Sequence, residues 1–108
     1  MIARGTICLL EEDGPVARRA VVVVQSDAFN RSRIPTVVVV PLSSRKTLGQ
    51  APGNVPVPAR CSGLLADTVA VISSPHTVDR SHLTPTPARL PAELLDTIER
   101  GLRLVLGA

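Results

Sequence analysis

The chain has 108 residues, of which 44% are apolar, and it carries a formal net charge of +3. This length allows one domain with one core, and the apolar content excludes an intrinsically disordered chain. No apolar run approaches the roughly 18 residues of a membrane span, and residues 1–5 lack the pattern of a signal peptide. We therefore expect a cytoplasmic protein with no membrane partner.

The charge is unevenly distributed along the chain. Residues 1–60 contain eight Lys or Arg and four Asp or Glu, whereas residues 61–108 contain four and five. A basic half is typical of proteins that bind a polyanion such as a nucleic acid. The same charges would also suit a surface that only keeps the protein soluble, so charge alone leaves both interpretations open.

The first half of the chain predicts three short strands. The segment at residues 4–10 contains an apolar stretch at 7–10, and the segments at residues 20–25 and 36–42 are rich in valine. An acidic Gly-Pro turn at residues 11–15 and a polar loop at residues 26–35 separate them. Pro41 cannot donate a ladder hydrogen bond, which predicts an edge, a bulge or a strand end at that position.

The second half predicts shorter elements before a final helix. A loop at residues 43–54 is followed by a proline-broken edge strand at 55–58, a strand at 68–73, a short strand or helical turn at 78–83, and a connector at 84–91 that holds three prolines. Together with the first half, these segments predict a mostly β (α+β) fold, a compact β-barrel with one C-terminal helix packed against it.

The last segment predicts the one long helix. Pro91 suits the first helical position, and Gly107 suits the end. Pairs of opposite charge four residues apart, Asp96 with Arg100 and Glu99 with Arg103, fit its exposed side. Its apolar side chains recur at steps of three and four residues: Leu94, Leu95, Ile98, Leu102, Val105 and Leu106.

Common metal and cofactor motifs are missing from the sequence. It has no Gly-rich phosphate loop, no HExxH and no paired-cysteine site, so we expect neither a metal nor a cofactor. Cys8 and Cys61 are far apart and predict free, buried thiols. His76 and His82 could serve as a nuclease pair only if both faced one phosphate, and ordinary surface or core histidines are the more common case.

Polar side chains at two strand ends are the best candidates for chemistry. Arg18 and Arg19 directly precede one buried strand, and Ser43 and Ser44 directly follow the next. A guanidinium can hold two phosphate oxygens and a hydroxyl can donate to a third, which would stabilise a phosphorane without a metal. Ordinary strand-flanking polarity explains the same residues. Since Phe29 is the only aromatic residue, an RRM-like or OB-like stacking surface is excluded.

An ordered set of segments resembles the MazF/PemK toxins, a family that also includes the gyrase poison CcdB. The matching segments are residues 4–5, 19–27, 30, 36–44, 52–55, 63–64, 67–70, 77–80 and 101–103. The resemblance implies an SH3-like β-barrel with a C-terminal helix, one domain over residues 1–108, a homodimer, and an antitoxin whose disordered C-terminal segment blocks the RNA groove. It also implies metal-independent cleavage of single-stranded RNA through 2′-hydroxyl attack, leaving a 2′,3′-cyclic phosphate and a 5′-hydroxyl.

The resemblance assigns roles to individual residues. The family's catalytic arginine falls on Arg19, and its catalytic threonine falls on Ser43, which keeps the hydroxyl. The residues expected to bind RNA beside them are Arg18, Gln25, Ser44, Arg45 and Lys46. The sequence departs from the family pattern at Ala20, where a proline is usual, at residues 6–8, where an acid and an aromatic residue are replaced, and in a shorter first loop.

Two alternatives from other classes remain open at this point. A CcdB-like toxin would bind DNA gyrase, but the best-known form depends on a C-terminal tryptophan and this chain has none. A catalytically inactive barrel would only bind a partner protein. An RNA cleavage assay separates the nuclease from both alternatives, and a gyrase supercoiling assay separates the two from each other.

Overall fold

The computed structural model describes residues 2–11 and 18–108. Its strands are β1 (Thr6–Glu11), β2 (Arg18–Val23), β3 (Thr36–Ser43), β4 (Val55–Val57), β5 (Thr68–Ala70), β6 (His76–Asp79) and β7 (Leu83–Arg89). Its α-helices are α1 (Asp27–Asn30), α2 (Ala59–Ser62) and α3 (Ala92–Leu106), and short 3₁₀ helices cover Lys46–Gln50 and Arg80–His82. The mostly β fold with a C-terminal helix is confirmed.

The strands form one curled antiparallel sheet. Its order is β4-β5-β3-β2-β1-β7, and β6 also pairs with β3. β3 is central because it pairs with β2 along one edge and with β6 and then β5 along the other. Since β6 and β7 are consecutive but pair with opposite ends of the β3-β2-β1 group, the sheet must curl on itself.

Two apolar clusters fill the two faces of this curled sheet. An inner cluster contains Cys8, Leu10, Val21, Val23, Val37, Val39 and Leu83. A helix-side cluster contains Ile7, Val22, Val40, Val55, Val57, Ala70, Ile72, Leu90, Leu95 and Ile98. Alternate residues of each strand enter different clusters, as the two-residue period of a strand requires, and burial of both faces explains the long runs of valine.

Pro41 lies within central strand β3, so the prediction of an edge, bulge or strand end is wrong. β3 pairs with β6 at residues 36–39 and with β5 at residues 42–43. Pro41 falls between these two stretches, where one partner strand gives way to the next, and its carbonyl oxygen accepts a hydrogen bond from the backbone N–H of Val71 at 2.9 Å. The missing proline N–H therefore removes no ladder bond.

The connector predicted at residues 84–91 is mostly strand β7. β7 is an edge strand that pairs only with β1, and its register shifts between the partners of Thr6 and Cys8. The Oγ1 of Thr86 donates to the Ile7 carbonyl at 2.7 Å across this irregular stretch. Prolines 85 and 87 fit there because an edge strand leaves one row of backbone groups unpaired.

The predicted loops also contain short helices. Residues 26–35 include α1, and residues 43–54 include the 3₁₀ helix Lys46–Gln50. The region predicted as strand or helical turn contains both, β6 followed by Arg80–His82. The strand predicted at residues 68–73 ends earlier, at Ala70. Of the acidic turn predicted at residues 11–15, Glu11 belongs to β1 and the rest lies outside the described residues.

Helix α3 packs on the helix-side cluster. Leu95 and Ile98 are buried, and Leu94 and Leu102 pack beside them, whereas the last turn exposes three apolar side chains, Leu104, Val105 and Leu106. Gly107 ends the helix in the left-handed conformation, as predicted.

The two charge pairs predicted on α3 have different outcomes. Arg103 pairs with Glu99 at 3.2 Å, which confirms one of them. Arg100 bonds the Oγ1 of Thr97 instead of pairing with Asp96.

The cysteines are free, as predicted, but only one of them is fully buried. Cys8 lies in the inner cluster and Cys61 is half-buried. Burial raises the pKa of the Cys8 thiol to about 11, because an apolar environment disfavours the thiolate. Among residues 2–11 and 18–108, no helix has the length and apolar character needed to cross a bilayer.

Candidate active site

The strand ends that carry the predicted site meet at one end of the curled sheet. Arg18 and Arg19 begin β2, and Ser43 ends the neighbouring strand β3. The ladder between these strands pairs Val21 with Pro41, Val22 with Val40 and Val23 with Val39. The ladder ends at Val21 and Pro41, beyond which Leu42 and Ser43 pair with β5, and the same register extended by two residues would set Arg19 opposite Ser43. Residues directly opposite each other in an antiparallel pair have Cβ atoms about 4.5–5.5 Å apart.

Strand alternation places both side chains on the same face of the sheet. Arg19 lies two residues before Val21, and Ser43 lies four residues after Val39, and both valines belong to the inner cluster. On β1, Arg19 is opposite Leu10, which also belongs to that cluster. Arg19 is exposed and Ser43 is half-buried, so the pair lies where the inner face of the sheet opens to solvent.

A backbone contact orients the hydroxyl of Ser43. Its Oγ accepts a hydrogen bond from the N–H of Arg45 at 3.1 Å, the local turn that Ser and Thr commonly form two residues ahead of a backbone donor. A hydroxyl has one hydrogen to donate besides its two acceptor positions. The contact with Arg45 uses an acceptor position, so the hydrogen of Ser43 is available to a bound oxygen.

Three more predicted residues follow Ser43 directly and are exposed. Ser44 is at the turn out of β3, Arg45 precedes the 3₁₀ helix Lys46–Gln50, and Lys46 is its first residue. Because these side chains lie within three residues of Ser43, they extend the positive charge of the site along the surface.

Arg18 is held beside the site by an acid. It forms an ion pair with Glu11 at 3.1 Å, its direct neighbour across the β1–β2 ladder. Both side chains are well exposed, so this pair contributes little to stability and leaves Arg18 accessible to another anion.

Gln25 lies away from this group, and its amide makes internal hydrogen bonds. Its Nε2 donates to the Oδ1 of Asn30 at 3.0 Å and to the carbonyl of Thr36 at 3.4 Å, and its Oε1 accepts from the N–H of Val38 at 3.3 Å. The structure thus gives Gln25 a structural role between the end of β2 and the start of β3, far from Ser43. Its predicted contact with RNA has no geometric support here.

The two histidines belong to different elements. His76 starts β6, opposite Val39, and His82 ends the 3₁₀ helix Arg80–His82. The even spacing that would place them on one side of a single strand therefore does not apply. Within the described part of the chain, no group of three or more His, Cys, Asp or Glu is arranged to hold a metal ion.

The search for polar side chains at strand ends did not identify a second group of basic side chains. Arg31 and Arg33 are exposed near α1, at the opposite end of β3 from Ser43, beside the exposed ring of Phe29. The sequence does show two arginines shortly after the only aromatic residue, but predicting residues 26–35 as a loop gave these side chains no defined position.

Fold and candidate site together define a small curled β-barrel with one C-terminal helix and with basic and hydroxyl side chains at the ends of two neighbouring strands. Comparison with known proteins identifies the family within this class. The chain belongs to the family of PemK-like, MazF-like toxins of type II toxin–antitoxin systems, whose family model matches residues 4–106.

Curated relatives agree with this assignment. The endoribonuclease MazF6 of Mycobacterium tuberculosis and the endoribonuclease MazF2 of Mycobacterium bovis are each 39% identical to the chain over 92 residues, covering 85% of this chain and 81% of theirs.

Solved structures share the fold. A MazE–MazF complex from Deinococcus radiodurans has a TM-score of 0.80 at 25% identity and covers 98% of this chain and 95% of its own. A mycobacterial endoribonuclease in complex with its cognate antitoxin has a TM-score of 0.80 at 18% identity, covering 99% and 96%. The SH3-like barrel expected from the resemblance is thereby confirmed as the fold of this family.

Proposed function

We propose that this chain is a toxin endoribonuclease that cleaves single-stranded RNA in the cytoplasm, with residues 1–108 forming one toxin domain. The observation that supports the proposal is the β2–β3 register, which would bring Arg19 and Ser43 toward the same space if extended by two residues beyond Val21 and Pro41. It is supported by family membership and by the endoribonuclease relatives at 39% identity.

The proposed reaction uses the RNA's own nucleophile. The 2′-hydroxyl oxygen attacks the adjacent phosphorus as its proton leaves to solvent, and the bond from phosphorus to the 5′-oxygen breaks as that oxygen takes a proton. The products are a 2′,3′-cyclic phosphate and a 5′-hydroxyl. Negative charge grows on the non-bridging oxygens, so fixed donors aimed at them lower the barrier without a metal.

Arg19 and Ser43 supply those donors. A guanidinium stays protonated in proteins and presents parallel N–H groups, so Arg19 binds two phosphate oxygens and stabilises their charge instead of acting as a base. Ser43 donates its hydroxyl hydrogen to the same group while the Arg45 N–H holds its oxygen. Arg18, Ser44, Arg45 and Lys46 bind the phosphates on either side, and Gln25 acts only by bracing the β2–β3 connection.

The first test measures cleavage by single variants. We expect Arg19→Ala and Ser43→Ala each to lower kcat on a mixed-sequence RNA by about 10²- to 10³-fold, the usual loss for one donor to a developing oxyanion. Ser43→Thr keeps the hydroxyl and should retain most of the rate. Arg100→Ala, on the exposed side of α3, is the matched control and should cleave like the wild type.

Two outcomes of this test would contradict the proposal. Cleavage at the wild-type rate by Arg19→Ala would remove Arg19 from the catalytic group. Loss of cleavage in EDTA, with recovery on addition of Mg²⁺, would replace the metal-free reaction with a metal-dependent one.

The proposal includes two protein partners. The chain forms a homodimer, for which the exposed apolar side chains at the end of α3 offer surface to bury. A light-scattering mass near that of one 11.4 kDa chain would contradict this homodimer.

The chain also binds an antitoxin, as the related toxins do in complexes from Deinococcus radiodurans and a mycobacterial species. Failure to co-purify with the product of a neighbouring gene would argue against such a partner.

A further inference from the structure

A second basic surface lies around helix α1. It consists of Arg4, Phe29, Arg31, Arg33 and Arg89, hereafter the α1 patch, and four of these five side chains are exposed while Arg4 is half-buried. Phe29 is the only aromatic residue of the chain, yet its side chain is 55% exposed. Arg31 and Arg33 follow this ring closely in the chain, so an accessible aromatic face and two exposed guanidinium groups share one surface segment.

Hydrogen bonds hold α1 in one orientation. Asn30 is buried, its Nδ2 donates to the Gln25 carbonyl at 3.0 Å, and its Oδ1 accepts from the Gln25 side chain. On the other side, the Oγ of Ser32 donates to the Phe29 carbonyl at 2.6 Å. The backbone that carries the exposed ring is thus fixed by contacts before and after it. A ligand that stacks on the ring therefore does not have to order this backbone, which lowers the entropy cost of binding.

The charges of the α1 patch are not balanced by nearby acids among the described contacts. Asp27 accepts hydrogen bonds from the Arg4 N–H and from Asn30, which together with the nearby Arg89 and Arg31 charges hold the pKa of its carboxyl below the usual range. The Nε of Arg89 donates to the Arg4 carbonyl at 3.0 Å. One carboxylate therefore lies near two guanidinium groups, those of Arg31 and Arg89, so an excess of positive charge remains on this surface.

The α1 patch is separated from the candidate active site by the length of β3. β3 runs from Thr36, close to the patch, to Ser43 at the site, which is about 23 Å at 3.3 Å per residue. Small folds that bind single strands commonly engage about 4–16 nucleotides. A single RNA strand can therefore reach both places.

We propose that the α1 patch binds a nucleotide of the single-stranded RNA outside the cleaved linkage, with the base stacked on Phe29 and the flanking phosphates held by Arg31 and Arg33. This inference rests on the proposed function, because it takes RNA as the ligand of the distant site. RNA suits the patch better than a protein does, since one ring and the half-exposed Ile34 fall far short of the roughly 800 Å² that each partner buries in a stable protein interface.

Binding to an uncleavable RNA tests the proposal independently of catalysis. Fully 2′-O-methylated oligonucleotides lack the nucleophile, so their Kd is measurable whether or not the chain is a nuclease. We expect the wild type to bind a mixed-sequence 14-mer more tightly than a mixed-sequence 5-mer, which is too short to span both surfaces. Phe29→Ala should reduce that length advantage by about 5- to 100-fold, and Phe29→Trp should restore it.

Charge and control variants complete the test. The double change Arg31→Ala with Arg33→Ala should flatten the dependence of log Kd on log salt by roughly 0.7 per lost phosphate contact. Leu65→Ala removes another exposed apolar side chain and should keep the full length advantage.

The possible results separate the two proposals. A length advantage that Phe29→Ala leaves intact would overturn the α1 patch as an RNA site, even if the wild type cleaves RNA. A length advantage lost in Phe29→Ala would support the patch even if no cleavage is found, in which case only the nuclease proposal fails. If Phe29→Ala weakens antitoxin binding or dimerisation but not RNA binding, the patch is a protein interface.

Discussion

At the scale of single residues, Asp27 and Asn30 organise the chain between β2 and β3. The Oδ1 of Asp27 accepts from the Arg4 N–H at 2.8 Å and from the Nδ2 of Asn30 at 3.2 Å. Asn30 in turn bonds Gln25. A buried amide is costly unless its donors and acceptors are used, and here the partners come from three separate segments. This hydrogen-bond network gives the polar segment around α1 a defined conformation.

Asp27 makes stability depend on pH in one direction. Its folded pKa is lowered, first by the Arg4 N–H and then by Asn30, so its contribution is present above the unfolded pKa of about 3.9 and is lost as pH falls through the folded pKa. We expect Asp27→Asn to lower the urea midpoint at pH 6 and to differ much less from the wild type at pH 3.

A neutral change in the same turn is the control for this titration. Ser26 precedes α1 and makes no capping hydrogen bond through its side chain, so Ser26→Ala should shift the urea midpoint by the same small amount at both pH values. If the deficit of Asp27→Asn were as large at pH 3 as at pH 6, ionisation of Asp27 would not be the source of the stability.

The site residues differ in how far sequence could predict them. Arg19 and Ser43 are candidates because each adjoins a buried strand whose end is identifiable from a valine run, and their catalytic roles stay predictions. Gln25 was placed with the RNA-binding residues by resemblance. Its partners Asn30 and Thr36 come together only once β2 and β3 are paired, and no local pattern shows such contacts.

At the scale of elements, prolines led to wrong predictions for strand β7 and for the position of Pro41 within β3. Prolines 85 and 87 favour a connector, and Pro41 favours an edge, yet β7 and β3 are both strands. Each proline is tolerated because no partner strand requires its N–H at that position, and this depends on which strands are neighbours. Helix α3 was predictable because its 3.6-residue pattern lies within one segment.

A close approach of backbones fixes α3 against the turn before β4. A Cβ added at Gly101 would collide with the carbonyl oxygen of Gly53, and it would also contact Ile72. Gly53 itself has a φ of +85°, a conformation that side chains disfavour. Glycine at position 101 therefore reflects this contact and not helix propensity, since glycine costs about 1 kcal/mol relative to alanine within a helix.

Gly101→Ala tests this contact. Propensity alone predicts stabilisation, whereas the collision with backbone predicts a net loss of about 1–3 kcal/mol, as for overpacked cores. The measurement is the free energy of unfolding from urea titration, with Arg100→Ala, one residue earlier and exposed, as the control. A more stable Gly101→Ala protein would show that α3 does not pack this closely on residue 53.

At the scale of the whole molecule, the excess basic residues of the first half of the chain lie in two separate places. Arg18, Arg19, Arg45 and Lys46 lie at one end of the β2–β3 pair, and Arg31 and Arg33 lie at the other. The curled sheet thus carries positive charge at both ends of its central strand. The sequence shows the excess, but only the fold separates it into two surfaces, one proposed for the cleaved phosphate and one proposed for a more distant nucleotide of the same strand.

The central claim is that Arg19 and Ser43 act on one phosphate, and a double-mutant cycle on cleavage measures it most directly. Groups that act as a unit have non-additive effects on kcat. We expect the double variant Arg19→Ala with Ser43→Ala to lose little more kcat than the worse single variant, at least tenfold less than the product of the two losses. A loss equal to that product would contradict it, because the two side chains would then act independently.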